Sequence, residues 1–484
     1  MPAGIALSEN GAARANMGVD VADYDRSGRP HLAVGNFLNE MIGLYHNQDG
    51  KTFIDRAPRS DVGRASLLSV TWAVMFLDYD LDGFLDLFAV NGGTDESQGM
   101  DARARLSQPP LLLRNRGNGT FENVSASLGP SINKPIMGRG GAYLDFDGDG
   151  DLDLFIGFRD RANAMYRNDA GRFTDIAASV GLADARKTVG AVWFDYDEDG
   201  DLDVAVANMD GDANGLFRNN GGSFTDVAAA AGVEWGGRAP KSPANGTVRV
   251  CAADVDADGH FDLFAANYGP LAFFSNRGKG TFEDRSAAWA INIDSRYDSC
   301  AFEDFDHDGR LDLYVNGTVT GGASWQDTLF RNTGSAMVDV TPPAIRKLQA
   351  DHGVQWADVD GDGDVDLALT GSRPDGMHFI MRNMLPATDA ARSVFVRVVD
   401  GKGNATRAGA EVRVYAAGTS RLLGARLVDS GSGYDSQNDM PAHVGVPAGV
   451  SKVDVQVIVP RHGARTPIWQ RGASLGKPIT VRTN

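Results

Sequence analysis

The chain has 484 residues, 42% of them hydrophobic and 8% aromatic, which is enough to bury a large core and too much for a disordered polypeptide. Sixty-four acidic residues against 46 basic ones give a formal net charge of -18. That balance argues against a nucleic-acid or anionic-membrane surface, because phosphate backbones need basic patches, and it suits a chain that holds many hard cations.

The N-terminal stretch Met1-Pro2-Ala3-Gly4 has no basic or apolar leader region. Either a leader has been removed or the sequence is a fragment. From residue 23 one phrase recurs: Asp-x-Asp-x-Asp-Gly-x-x-Asp-Leu. The first copy is degenerate, with Asp23, Asp25, Ser27, Gly28 and His31. The second has Asp78, Asp80, Asp82, Gly83 and Asp86. The third has Asp145, Asp147, Asp149, Gly150 and Asp153, and the fourth Asp195, Asp197, Asp199, Gly200 and Asp203. The fifth has Asp254, Asp256, Asp258, Gly259 and Asp262. The sixth has Asp304, Asp306, Asp308, Gly309 and Asp312, and the seventh Asp358, Asp360, Asp362, Gly363 and Asp366. The spacing of roughly 50 to 67 residues is that of a four-stranded propeller blade with its loops.

Short apolar runs flank each copy, such as Trp72 to Leu77 before one loop and Leu85 to Val90 after it. Runs of this length, β-branched or aromatic and bounded by Asp and Gly, read as strands. The phrase is therefore a hairpin loop, not the helix-flanked loop of an EF-hand. Two further signatures follow in phase. One is an Arg-Asn strand: Arg114-Asn115, Arg167-Asn168, Arg218-Asn219, Arg331-Asn332 and Arg382-Asn383, with His46-Asn47 and Ser275-Asn276 as looser versions. The other is a strand opened by Phe53, Phe121, Phe173, Phe224, Phe282 or Met337. The order predicts an all-β, seven-bladed propeller over residues 1–385. The segments 176–182 and 227–233 read as turns or single helical turns. No such outer strand follows Asn383, so the stretch Gly4 to Leu7 is expected to complete the last blade unless upstream sequence is missing. Residues 93–110 form an insertion in blade 2. No run of about 18 apolar residues exists, so no membrane span is expected.

These motifs resemble the FG-GAP/VCBS repeat family, whose propeller repeats also build integrin α-chain heads. From about Ser393 to residue 484 the chain is similar to the ASPIC and UnbV domain, a small β-sandwich-like unit, through Gly431-Ser432-Gly433-Tyr434-Asp435-Ser436-Gln437 and His443-Val444-Gly445. It departs from that pattern where an aromatic usually follows the His, and where Ile458-Val459-Pro460 replaces a Trp-Pro ending. The combination resembles the cartilage acidic protein family, which implies a secreted or surface-associated calcium-binding protein.

The loop chemistry points to Ca2+, which takes six to eight hard oxygens at about 2.3–2.6 Å. Positions 1, 3, 5 and 9 offer carboxylates, while position 7 offers its backbone carbonyl, which explains why Phe84, Asp151, Asp201, His260, Arg310 and Asp364 all occur there. An all-oxygen set disfavours zinc, copper and iron. About six sites are expected, with a weaker seventh at Asp23 and Asp25. Asp-Gly pairs also make plain hairpin turns, but six crowded copies repel unless a cation or protons neutralise them.

Cys251 and Cys300 lie three and four residues before the Asp loops of neighbouring blades. Offsets of opposite parity put them on opposite sheet faces, where they either form a disulfide across the blade gap or remain two buried thiols. The stretch Gly472-Ala473-Ser474-Leu475-Gly476 matches a nucleophile elbow only if it sits on a strand-to-helix turn. His443 reads as structural rather than as a base. Asn118, Asn245 and Asn316 head glycosylation-type triplets that are also turn chemistry. Two function classes remain: an extracytoplasmic scaffold that binds a protein or carbohydrate ligand, or a calcium-assisted polysaccharide lyase or cyclase at the channel mouth. Arg139, His352 and Trp235 are the residues to inspect there.

Overall fold

The structure, a computed structural model, describes residues 4–8, 11–94, 101, 105–235, 245–320, 323–348, 351–371, 377–429, 431, 437–438 and 441–483. Seven antiparallel β-meanders follow one another. Their innermost strands are Asn16–Ala22, Thr71–Leu77, Gly138–Leu144, Thr188–Phe194, Gly246–Ala253, Asp294–Glu303 and Asp351–Ala357. Each innermost strand packs on that of the next blade, and the seventh packs on the first, so the ring is closed. Each innermost strand runs into its Asp loop and returns as the second strand, for example Asp86–Asn91 after Thr71–Leu77. All seven Asp loops therefore lie on one end of the ring.

The core sits between blades. Leu144, Phe155 and Met165 of blade 3 pack with Trp193, Val206 and Phe224 of blade 4. Trp193 meets Phe155 edge-on at 6.1 Å and Phe224 at 5.8 Å. Burying one such aromatic contributes about 2–3 kcal/mol, and the recurring Phe of the outer strand is the residue that does so.

The Arg-Asn signature has a geometric reason. Each Asn lends its backbone N–H to the position-9 carboxylate of its own loop, as Asn115 to Asp86 at 2.7 Å and Asn332 to Asp312 at 2.8 Å. Outside blade 4, where Asn219 donates to Leu202 of its own blade, the side-chain amide reaches the preceding blade and donates to the carbonyl of loop position 2: Asn115 to Tyr24 at 2.8 Å, Asn276 to Tyr196 at 2.8 Å, Asn332 to Val255 at 2.9 Å. Asn47 does the same to Val359 at 3.1 Å, which ties blade 1 to blade 7. The ring of Tyr24 also packs 5.3 Å from Phe121 of the next blade. The Asp loops are thus the joints between blades.

Two expectations are corrected. Blade 7 has three strands among the described residues, ending with Phe379–Met381. Residues 4–8 form no strand; Ile5 instead packs among Val19, Tyr45, Phe53, Val359 and Ala368 at the seam between blades 1 and 7. The two single helical turns are present as Ala177–Val180 and Ala228–Ala231. The blade 2 insertion falls largely outside the described residues.

From Ser393 the chain builds two more sheets. Ser393–Val399 lies between Ala442–Gly445 and Ile479–Arg482, and Glu411–Ala416 lies between Leu422–Leu427 and Lys452–Arg461, the latter paired with Ala464–Ser474. They close over a core rich in valine, including Val394, Val412, Val455 and Val481. This β-rich domain sits on the Asp-loop end, and its segment Gln437–Asn438 pairs in parallel with Asp20–Val21 of blade 1. Residues 432–436 of the resembling segment lie outside the described residues.

Candidate metal centres and the open channel mouth

All seven loops share one backbone path. The position-6 glycine has positive φ in every copy, from 80° at Gly28 to 102° at Gly363, and its N–H donates to the position-1 carboxylate, as Gly83 to Asp78 at 2.8 Å. Position 4 is also left-handed, even as Leu81, Glu198, Ala257 or His307. Nothing in the sequence phrase marks that position, which varies freely.

The path gathers carboxylates. One oxygen from each of Asp78, Asp80 and Asp82 lies within 4.8 Å of the others, and likewise for Asp145, Asp147 and Asp149, for Asp195, Asp197 and Asp199, and for Asp254, Asp256 and Asp262. Within three loops the Oδ1 atoms of positions 1 and 3 are buried with no hydrogen-bond donor: Asp78 and Asp80, Asp195 and Asp197, Asp254 and Asp256. Asp360 and Asp364 of blade 7 each leave one such oxygen, as does Asp312 of blade 6. Orphaned buried oxygens in pairs are what a cation would satisfy.

Position 9 is fully enclosed: Asp86, Asp153, Asp203, Asp262 and Asp312 have no exposed surface. Burial pushes these carboxyls up, to about 8 at Asp86, Asp153 and Asp262 and about 9 at Asp312, and the neighbouring aspartates add to it. Position 1 moves the same way through burial, to about 6 at Asp78, 7 at Asp195 and Asp254, and 8 at Asp304. Position-7 side chains vary: His260 Nδ1 lies 2.8 Å from Glu198, Asp201 accepts from Gly463, Arg310 donates to the Asn332 carbonyl at 3.0 Å and to Asp308 of its own loop, and Asp364 keeps one buried oxygen without a donor.

Blade 1 solves the problem differently. His31 stands at position 9 and is wholly buried; its Nδ1 accepts the Asn47 N–H at 2.9 Å, so its Nε2–H points at Asp25, 2.8 Å away. His46, in place of the usual Arg, sets its Nε2 2.8 Å from the other Asp25 oxygen, and the two rings stack at 4.4 Å. Burial opposes it, but the hydrogen bonds from His31 and Ser27 hold the Asp25 carboxyl well below its usual range. Sequence reading missed His46, although its place before Asn47 in the repeat could have found it. In blades 2, 6 and 7 that place holds an arginine over the loop, as Arg114 on Asp80 at 2.7 Å and Arg331 on Asp306 at 2.7 Å, and in blade 5 it holds Ser275, which donates to Asp256 at 3.0 Å.

The C-terminal domain grips the same end. Arg407 reaches Asp145 at 3.3 Å, and Arg465 joins Asp195 to Glu411. Arg465 uses Oδ2 of Asp195 and leaves Oδ1 to the loop interior. Burial would raise the Glu303 carboxyl, but Arg426 at 2.8 Å and His443 at 2.9 Å outweigh it and hold it low. His443 is thus a docking residue. Ser474 closes a strand in Ala464–Ser474, not a strand-to-helix elbow. Asn316 is fully buried, which removes it as a glycosylation acceptor, while Asn118 is exposed.

Cys251 and Cys300 form a disulfide with a Cα separation of 6.4 Å, which joins blades 5 and 6. No described helix is long and apolar enough to cross a membrane.

The opposite end of the ring holds a cavity of about 490 Å³ between the starts of the innermost strands of blades 2 to 5. Trp72, Arg139, Arg159, Lys187 and Tyr268 line it. The Arg139 guanidinium lies 4.0 Å over the Trp72 ring and donates to the Gly138 carbonyl at 2.8 Å. Trp235 packs on the core beside Val233, and His352 pairs with Asp298 at 2.6 Å; neither lines the cavity.

Comparison with known proteins agrees with this architecture. The FG-GAP-like repeat model matches residues 145–206, 195–265 and 254–315, and the ASPIC and UnbV model matches 400–467. Human cartilage acidic protein 1 is 25% identical over 471 residues, covering 89% of this chain and 67% of the relative, and the mouse protein is 24% identical over 89% and 68%. Among solved structures, an Agrocybe aegerita lectin that recognises non-reducing terminal N-acetylglucosamine aligns with 18% identity and a TM-score of 0.44, over 70% of this chain and 83% of the lectin. YCF48 from Cyanidioschyzon merolae aligns with 12% identity and a TM-score of 0.46, over 77% and 96%. The chain thus carries FG-GAP-like repeats within residues 145–315 and an ASPIC and UnbV match over 400–467, and it is homologous to cartilage acidic protein 1 at 25% identity over most of its length.

Proposed function

We propose that this protein is a calcium-stabilised propeller that serves as an extracytoplasmic scaffold for a protein or glycan ligand, which it meets at the end of the ring away from the ion loops. The observation that carries this reading is the set of paired, buried, donor-less carboxylate oxygens at loop positions 1 and 3. Position 5 and position 9 carboxylates and the position-7 carbonyl would complete an oxygen shell in blades 2 to 7, of the size Ca2+ takes. Mg2+ would demand a stricter octahedron and keep more of its own water. Blade 1 needs no ion in this reading, because two imidazole N–H groups already face Asp25. The disulfide supports an oxidising compartment.

Chelation tests it. At free Ca2+ tenfold above the dissociation constant each site contributes about 1.4 kcal/mol, so six sites together contribute about 8 kcal/mol. With an unfolding entropy of ~2.1 cal/mol/K per residue, excess chelator is expected to lower the melting temperature by about 8 °C. An unchanged melting temperature in chelator would refute the reading.

A further inference from the structure

The mouth at the end opposite the Asp loops has a chemistry of its own. Gln437–Asn438 pairs with blade 1 near the loop end of its innermost strand, and the C-terminal domain covers that end, so the channel is approached from the other side. There the walls are cationic and aromatic. Arg159 sits 2.7 Å and Lys187 2.9 Å from the same Asp210 carboxylate, and the Asp212 carboxylate accepts the Lys187 backbone N–H at 3.3 Å. Arg139 is held over Trp72, and behind the lining residue Tyr268, outside the cavity itself, Arg296 lies 4.8 Å from the Tyr268 ring. In a chain with a net charge of -18, cations gathered in one concave place call for a reason.

We propose that this mouth binds an anionic saccharide, with one charged sugar residue in the cavity. This rests on the scaffold reading above and names its ligand class. A volume of about 490 Å³ falls within the range of small-ligand sites, roughly 300–1,000 Å³. Guanidinium and ammonium groups match the oxygens of a carboxylate or sulfate. The half-buried rings of Trp72 and Tyr268 offer apolar flanks to a pyranose while their edges stay wet. A nucleic-acid strand would also offer anions, but it would have to track a surface that is acidic outside this cavity.

The test uses the full chain with saturating Ca2+ and calorimetric titration. The probes are three tetrasaccharides of equal length: one carboxylated, one sulfated and one neutral. At least one charged probe is expected to bind, with the neutral one at least tenfold weaker, and the pair of charged probes tells carboxylate from sulfate recognition. Lys187→Gln, at a side chain nearly half exposed, is expected to weaken binding about fivefold while Arg159 keeps Asp210 paired. Arg159→Gln with Lys187→Gln is expected to weaken it more than tenfold, with an unchanged circular-dichroism spectrum. Equal affinity for the neutral probe overturns the proposal. So does no saccharide binding, or binding that neither variant alters. An acidic peptide that binds where all three sugars fail overturns it too. The melting temperature of the same samples with and without chelator separates the outcomes: if calcium still stabilises while the sugars fail, only the ligand class is wrong.

Discussion

Calcium loading at neutral pH should expel protons, and the number follows from the loops. In blade 2 burial raises Asp86 to about 8 and Asp78 to about 6. At pH 7 the first still holds most of its proton and the second little, so one ion should release about one proton. In blade 6 burial raises Asp304 to about 8 and Asp312 to about 9, so one ion there should release about two. Titrating the ion-free protein with Ca2+ in buffers of different ionisation enthalpy gives this number as the slope of apparent heat against buffer heat. The expected mean is between one and two protons per ion at pH 7, falling toward zero near pH 10. The stability sign follows. These carboxyls lie above their unfolded value near 4, so in the ion-free protein their contribution to stability is greatest at or below that pH and is lost as pH climbs from there through their raised values of about 6 to 9. Stabilisation by calcium should grow through the same window. Tight ion binding with no proton release at pH 7 would refute the picture of buried carboxyls held neutral by their loops.

Three further outcomes are expected. Reducing the Cys251–Cys300 bond, or changing both residues to Ser, frees a 49-residue loop in the unfolded chain and should cost about 4 kcal/mol, read as a melting shift of roughly 4 °C. Asn332→Ala removes the side-chain bonds to Val255 and Leu311 and leaves buried carbonyls unpaired, a loss of about 2–3 kcal/mol in denaturant unfolding. Gly445→Ala would drive a methyl into the Asp304 carboxylate, so the C-terminal domain should lift from blade 6 and limited proteolysis should cut between residues 385 and 393, which it spares in the parent.

The propeller was legible because its period is written in chemistry that local sequence controls. Alternating Asp with a fixed Gly sets a left-handed hairpin, and short apolar runs either side set the strands. The Phe of the outer strand was visible as a repeat, and its partner, the aromatic at loop position 2 of the preceding blade, was not. The same holds for the Asn amide that reaches Tyr24 or Val255, because those partners stand 77 to 91 residues away and leave no local period. Arg407 on Asp145 and Arg465 on Asp195 span 262 and 270 residues. Nothing in a domain's own pattern tells which of its arginines faces another domain. Blade 7 shows the converse error. The repeat suggested four strands per blade, but among the described residues blade 7 has three, and Ile5 and the Asn47–Val359 bond hold the seam beside it.

The division of charge between the two ends of the ring follows from these contacts. On the loop end, buried carboxylates outnumber local donors, and two kinds of positive group meet them: an ion would enter through Oδ1 of positions 1 and 3, while arginines from the C-terminal domain arrive from outside through Oδ2, as at Asp195. Because the two use different oxygens, docking of the domain leaves the loop-facing oxygen of Asp195 open to an ion. The joints between blades pass through these same loops, by way of Tyr24, Tyr196 and Val255. Under the proposed loading, ions in these loops would stiffen the joints of the ring, and the far mouth, where Arg139, Arg159 and Lys187 are carried at strand ends and the turns beside them, would stiffen with them. A ligand met at that mouth would be met by a rim whose spacing the loops fix from the other side, which would give the proposed binding surface a use for the proposed ions.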